Sequence, residues 1–193
     1  MIGRSLVLGL LLAGAGHTAI ANAAERCVEC VTAGAASVTV QVPPGAPPAG
    51  YGGMKRRLLF PDIFDRYPHA FWFSPSTGVR DPLTTRALVL ETGTTRLLWV
   101  TFDLVAVDGT FVRALEAELA RVGVPRATLL VSASHTHSGP GAFMDSRLMS
   151  LVAVDRFDPR VRDALVASAG TRRVGERDGA AGHREPARQG ARS

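Results

Sequence analysis

Lysine is almost absent from this chain of 193 residues, and arginine carries nearly all of its positive charge. Lys55 is the single lysine, and the formal net charge is +5. Much of that excess lies in 171–193, which holds six arginines and three acidic residues. The rest of the chain is close to neutral and shows no basic residues interleaved with aromatic ones, the pattern typical of nucleic-acid-binding faces. We therefore expect no nucleic-acid partner.

Cysteine is equally scarce. Cys27 and Cys30, in the sequence CVEC, are the only two in the chain. A zinc site or a redox motif at this point is the weaker interpretation, because no second cysteine pair exists and no helical pattern begins there. In an exported protein the pair favours a small local disulfide.

No apolar run is long enough to span a membrane. The main one, SLVLGLLLAGAG at 5–16, has twelve residues, whereas a bilayer core of about 30 Å needs about 20 residues of helix. It follows a basic residue, Arg4, and precedes the small-residue site Ala21-Asn22-Ala23, which together are typical of a secretory signal peptide. We predict a signal peptide over 1–23 and a secreted or periplasmic location, with a permanent anchor as the alternative.

The remaining composition is that of one globular domain followed by a tail. With 46% hydrophobic residues and 20% charged ones, the chain has enough apolar surface to form a core. We assign the domain to 24–169. The segment 170–193 is rich in Arg, Gly and Ala and has almost no apolar side chain, so it cannot bury enough surface to fold. We predict that it is disordered.

The regular patterns between 84 and 134 predict an α/β fold. TRALVLE at 85–91 and RLLWVTFD at 96–103 flank the turn-like TGTT and indicate a β-hairpin. A helix is expected from an Asp108 cap to a stop at Gly123 and Pro125. Its apolar residues recur at helical spacing: Phe111, Val112, Leu115, Leu119 and Val122.

A further apolar strand, ATLLVSAS at 127–134, follows this helix, so strand, helix and strand form a βαβ unit with two parallel strands. We predict a mixed sheet that contains this unit. SVTVQV at 37–42 predicts another strand, and 158–169 predicts a second helix.

The sequence SASHTHSGPGAF, 132–143, begins where that strand ends. Ligands collect at the carboxyl ends of parallel strands. Because alternate residues of extended chain point the same way, His135 and His137 are expected to converge on one ion or substrate. Gly139 and Gly141 are expected to let a ligand approach closely. Asp103, at the end of the neighbouring strand, is a candidate to orient a histidine. A hydrogen-bonded structural pair is the alternative to a metal site.

The segment 58–82 holds six of the chain's twelve aromatic residues, interspersed with prolines. Two interpretations remain open, a loop that its rings hold on the core and a loop that lines a substrate site. His69 lies in this segment, and we predict a structural role for it.

HTHSGPGAF, together with TTRALVLETGTTRLLWVTFDL upstream of it, resembles the N-terminal catalytic domain of the neutral/alkaline, non-lysosomal ceramidases. The matching region is 84–143. The resemblance implies a zinc-dependent amidohydrolase that cleaves the N-acyl bond of ceramide, or of a related lipid amide, to a sphingoid base and a fatty acid. It implies that His135 is a zinc ligand and that His137 is a catalytic residue beside the metal.

Members of that family are several times longer, and their remaining zinc ligands, a histidine, a glutamate and a tyrosine, lie well downstream of the motif. We therefore expect this chain to be a fragment of a larger ceramidase-like domain. Two alternatives to an active amidase follow. One is a catalytically inactive fragment or pseudoenzyme. The other is an exported module that binds an anionic membrane surface through the aromatic segment and arginines.

Overall fold

The computed structural model describes residues 31–50 and 53–170. The predictions for the signal peptide at 1–23, for Cys27 and Cys30 and for the tail after Gly170 lie outside the described residues. Gly170 itself is the last residue of a helix.

Four strands form one mixed sheet in the described chain, in the order β1-β2-β3-β4. They are β1 Thr32–Thr39, β2 Thr84–Thr92, β3 Thr95–Phe102 and β4 Thr128–Ala133. β1 and β2 pair antiparallel, as do β2 and β3, whereas β3 and β4 pair parallel. With the helices below, this confirms the predicted α/β class and its βαβ unit.

The predicted hairpin is β2 and β3. Thr92 pairs with Thr95, and Gly93 in the turn between them has φ +54°. That left-handed conformation costs glycine little, which explains the residue at this position. The first strand differs from its prediction, since it occupies 32–39 and not 37–42. Its pairing ends at Thr39, because the partner strand β2 begins at the opposite residue, Thr84. Further along the chain, Pro43 and Pro44 lack the N–H groups that a strand would need for pairing.

Helix α1, Gly109–Arg121, connects β3 to β4 and begins as predicted. The Asp108 carboxylate accepts hydrogen bonds from the backbone N–H of Phe111 and from the Thr110 hydroxyl, each at 2.8 Å. This satisfies a helix N–H that has no partner within the helix. Gly123, with φ +79°, follows the helix end. The predicted apolar face is buried through Phe111, Leu115 and Leu119.

The core lies between the sheet and the two longer helices, α1 and α3. Two short helical turns precede α3 in the chain, α2 Arg147–Met149 and a π-helical turn Ser150–Val154, and α3 is Pro159–Gly170. A 3₁₀ turn lies at Met54–Arg56. Alternate β3 residues point to the core, where their side chains are almost completely buried: Leu98, Val100 and Phe102. Edge-to-face contacts join Phe111 to Phe102 and to Phe143.

The opposite face of the sheet has no helix against it among the described residues. Trp99 and Leu130, neighbours on β3 and β4, are 45% and 47% exposed there. The indole N–H of Trp99 donates to the Ser132 hydroxyl at 2.8 Å. No helix within 31–50 and 53–170 is long and apolar enough to cross a membrane.

Candidate functional site

His135 lies just beyond the carboxyl end of β4, at the edge where β3 also ends. The Ser134 N–H donates to the Phe102 carbonyl at 2.9 Å and extends the parallel pairing by one residue. His135 then turns the chain with φ +61°, a conformation uncommon for residues other than glycine. Its Nδ1 lies 2.6 Å from the Val105 carbonyl oxygen. Because a carbonyl only accepts, Nδ1 carries the proton, and the lone pair is on Nε2.

His137 faces the same point from the other side. Its Nε2 lies 3.3 Å from Nε2 of His135, and the two rings meet at 69° with centroids 4.9 Å apart. The two side chains therefore converge, as alternation along the chain predicts. His135 is exposed and His137 is half-buried, so the meeting point of the two nitrogens is open to solvent.

The spacing of these nitrogens suits two kinds of interaction. Two nitrogens bound to one tetrahedral zinc ion at about 2.0–2.1 Å are about 3.3 Å apart, which matches this pair. Zinc-binding histidines also usually donate their other ring N–H to a carbonyl or carboxylate, as His135 does to Val105. A hydrogen bond from Nε2–H of His137 to Nε2 of His135 fits the same distance. Within the described residues no group of three His, Cys, Asp or Glu side chains could hold a metal ion.

Gly50 supports the His137 ring, although the sequence motif gave no reason to select it. A Cβ atom at Gly50 would lie 2.6 Å from Cγ and 2.7 Å from Nδ1 of His137. Gly50 has φ +82°, and its N–H donates to the Ala153 carbonyl at 2.8 Å. Arg56 reaches the same place, because its guanidinium contacts the carbonyls of Ala49 and His137, each at 3.4 Å. The three glycines of the sequence GYGG at 50–53 are the signal that could have indicated a close approach.

The Ser-Gly-Pro-Gly turn packs closely against other parts of the backbone. Gly139 and Gly141 are both buried. A Cβ at Gly139 would lie 3.0 Å from the Asp103 carbonyl oxygen, and one at Gly141 would lie 2.5 Å from the carbonyl oxygen of Val154. The N–H of Gly141 also donates to the Pro47 carbonyl at 2.5 Å. These glycines allow the chain segments at Pro47, Asp103 and Val154 to pack against the turn that follows the histidines.

Asp103 has a different partner from the one predicted. Its carboxylate accepts hydrogen bonds from the N–H of Thr84 at 2.9 Å and from its hydroxyl at 2.7 Å, and contacts Arg86 at 3.3 Å. Burial alone raises the pKa of Asp103, but these hydrogen bonds outweigh it and lower the pKa below its usual value. The group that orients His135 is the Val105 carbonyl. Asp103 ties the end of β3 to the start of β2.

His69 belongs to a separate polar cluster. Its Nδ1 lies 2.7 Å from the Asp158 carboxylate, which also accepts two bonds from the Arg160 guanidinium, at 2.7 and 3.0 Å. Both His69 and Asp158 side chains are 11% exposed. The contact fits the structural role predicted for His69, because it fastens the aromatic segment to the start of α3.

A buried carboxylate, that of Asp155, holds the aromatic segment through hydrogen bonds to its backbone. Asp155 is completely buried and accepts hydrogen bonds from the backbone N–H groups of three consecutive residues, Phe71, Trp72 and Phe73, at 2.9 to 3.1 Å. Phe73 is buried in turn. The middle of the segment is held in place, as one of the two interpretations expects, but mainly by this carboxylate, which the sequence did not single out.

The fold is shared with part of a known enzyme. No protein-family model and no curated protein sequence matches the chain. Among solved structures it is similar to the neutral ceramidase from Pseudomonas aeruginosa, with a TM-score of 0.54 and 20% identity. The similarity covers 72% of this chain and 20% of that one, so the chain spans about a fifth of the length of this neighbour. The likeness shows an α/β fold like a part of that ceramidase.

Proposed function

We propose that this chain forms part of a zinc-dependent amidohydrolase of the neutral ceramidase type. Its substrate would be ceramide or a related lipid amide, hydrolysed at the N-acyl bond to a sphingoid base and a fatty acid. The observation that carries the proposal is the 3.3 Å approach of the two Nε2 atoms of His135 and His137 at the carboxyl end of the parallel strands. The fold similarity to a neutral ceramidase supports the same reaction class.

His135 is the proposed zinc ligand. The hydrogen bond from its Nδ1–H to the Val105 carbonyl fixes the ring and leaves the Nε2 lone pair available. A zinc ion held there would supply Lewis-acid polarisation of the amide carbonyl. Catalytic zinc sites usually have three protein ligands. The ligands beyond His135 would lie outside residues 31–50 and 53–170.

His137 is the proposed catalytic residue. Hydrolysis adds water across the C–N bond, and the departing amine needs a proton. Nε2 of His137 is 3.3 Å from the proposed ligand atom, so it is in reach of a carbonyl or amide nitrogen presented to the metal. Gly50 and Arg56 hold the ring and the backbone of His137 in that position.

Zinc content per chain tests the ligand assignment. The protein is loaded with zinc, desalted and measured by mass spectrometry of the metal, alongside His135→Ala, His137→Gln and His69→Gln. We expect zinc in the parent, its loss in His135→Ala, and retention in the other two variants. Loss of zinc in His137→Gln would make His137 a ligand and overturn its assignment. A parent chain without zinc would favour the inactive fragment.

An amidase assay tests the reaction. The zinc-loaded chain is incubated with a fluorescent N-acyl sphingosine, and release of the fatty acid is followed. His137→Gln should lower turnover by about 10²-fold or more while the bound zinc is unchanged, because removal of an acid-base group affects the chemical step. Equal turnover in the parent and in His137→Gln would refute the catalytic role.

A further inference from the structure

The turn at 58–65 exposes two pairs of large apolar side chains. Leu59 and Phe60 are 90% and 72% exposed, and Ile63 and Phe64 are 68% and 77% exposed. We call these four residues the apolar tip. Single exposed apolar residues are ordinary on protein surfaces, whereas a contiguous group indicates an interaction site.

The tip is held on an ordered frame. The N–H of Leu58 donates to the Trp72 carbonyl at 3.0 Å, and that of Asp62 donates to the Phe71 carbonyl at 2.9 Å. The buried Asp62 carboxylate accepts the Tyr67 N–H at 2.7 Å and the Arg66 Nε–H at 3.1 Å, which closes the turn. Hydrogen bonds therefore fix the turn at its start, Leu58, and after its end, at Arg66 and Tyr67, while the four apolar side chains are exposed to solvent.

Basic residues flank the turn that carries the tip. The guanidinium of Arg156 lies 4.1 Å from the Phe71 ring centroid and 3.6 Å from Asp65. Arg66 follows the turn directly, and Lys55 and Arg57 precede it in the chain. The described acidic residues of the turn, Asp62 and Asp65, each contact an arginine. Residues 55–66 hold four basic and two acidic side chains, so this segment carries a formal charge of +2.

We propose that the apolar tip inserts into the interfacial region of an anionic lipid bilayer. Leucine, isoleucine and phenylalanine side chains gain free energy on leaving water for the acyl boundary, and nearby Lys and Arg side chains are attracted to anionic headgroups. A projecting turn with two apolar pairs matches shallow insertion, whereas a protein partner usually covers a broader, flatter surface. The inference does not depend on the proposed hydrolase activity.

The tip is connected to the histidine site through Arg57. Its guanidinium donates to the Leu151 carbonyl and lies 4.9 Å from the Phe73 ring centroid. Leu148, Leu151 and Val152, on the helical turns beside this contact, are also exposed, at 69%, 47% and 42%. The next residue, Ala153, accepts the hydrogen bond from Gly50, which lies against His137. These contacts connect the base of the tip to the chain segments that support His137.

Vesicle co-sedimentation tests the insertion. The chain is mixed with vesicles of phosphatidylcholine alone, or of phosphatidylcholine with about 30% of the anionic lipid phosphatidylglycerol. Each mixture is measured at low and at high salt, because salt screens charge attraction. We expect binding to the anionic vesicles that falls with salt. The double variant Phe60→Ser/Phe64→Ser should bind at least about tenfold more weakly, because two apolar anchors are lost.

The matched control is Val79→Ser/Leu130→Ser, which removes two exposed apolar side chains elsewhere, 66% and 47% exposed. It should bind like the parent. Circular dichroism and thermal melts verify that both double variants fold. A parent that does not sediment with anionic vesicles would overturn the proposal, as would undiminished binding of the Phe60→Ser/Phe64→Ser variant. The second outcome would direct attention to a surface other than the tip.

Discussion

Gly50 and His137 are in such close contact that no side chain fits between them. A Cβ added at Gly50 would lie 2.6 to 2.8 Å from three atoms of the His137 side chain, Cγ, Nδ1 and Cβ. The contact brings a glycine of the loop after β1 against the histidine of a motif more than 80 residues later in the chain. The position of His137 is therefore set by that loop as well as by its own motif.

Gly50→Ala should displace His137 and destabilise the fold. The variant combines a Cβ clash with a backbone at φ +82°, so we expect a loss of about 2–4 kcal/mol. Gly93→Ala is the matched control, because Gly93 also has positive φ, +54°, but nothing lies within 4 Å of its added Cβ. That variant should lose only about 1 kcal/mol. Urea unfolding measures both, and equal losses would show that the imidazole moves aside at little cost.

Asp155→Asn should loosen the aromatic segment. Asparagine keeps one acceptor oxygen but turns an amide donor towards backbone N–H groups that need an acceptor. We expect a loss of about 2–4 kcal/mol, since the group is fully buried. Trypsin should then cleave after Arg57 or Arg66 more rapidly. Asp65→Asn, which removes an exposed ion pair with Arg156, should change stability by less than about 1 kcal/mol.

Acid should destabilise the fold through Asp158. Burial by itself raises the pKa of Asp158, but hydrogen bonds from Arg160 and His69 outweigh it and lower the pKa to about 2. Because the folded-state pKa lies below the ordinary value of 3.8, the ionised group stabilises the fold above about pH 4. That stabilisation is lost as the pH falls towards 2. Asp158→Asn should therefore flatten the stability curve between pH 4 and 2.

Denaturant midpoints at several pH values measure this effect. Asp163→Asn, which removes a 63% exposed carboxylate paired with Arg162, should leave the parent's pH dependence in place. An Asp158→Asn variant whose stability still falls as steeply as the parent's over that range would contradict the assignment to Asp158.

Leu130→Lys should improve solubility without unfolding the chain. Leu130 is 47% exposed on the open face of β4, an edge strand of the described sheet, beside Trp99. A charge on an apolar edge strand opposes association between chains. Leu129→Lys is the control, because the preceding side chain packs against the core on the other face. Leu129→Lys should lower the free energy of unfolding by about 3 kcal/mol, because it places a charge among core side chains. Light scattering and thermal melts distinguish the two.

The secondary structure from Thr84 to Ala133 could be predicted because its signals are local. Alternating apolar residues, a two-residue turn with Gly93 and an Asp108 cap each act over a few positions of sequence. The convergence of His135 and His137 has the same local origin, since they are two residues apart.

The support of the site could not be predicted, because its partners are distant in sequence. The carbonyl that orients His135 is on Val105, and nothing in the type of that residue marks it, since every residue has a carbonyl. Nothing in the local sequence distinguishes Asp155 from the other acidic residues, because its partners, the N–H groups of Phe71 to Phe73, lie more than 80 positions away in the chain. A sequence shows that Asp103 ends a strand, but not that Thr84 lies nearer to it than a histidine does.

The packing of the turn at 139–141 against distant chain segments also has a consequence for the order in which the chain folds. The N–H of Gly141 bonds to Pro47, that of Ala142 bonds to Val154, and that of Gln41 bonds to the Ser168 hydroxyl, 127 positions away. During synthesis Gln41 therefore emerges long before its partner Ser168. Contacts of such sequence separation close slowly, because loop entropy opposes them. The hairpin of β2 and β3 is the natural nucleus, and the histidine site is expected to assemble last.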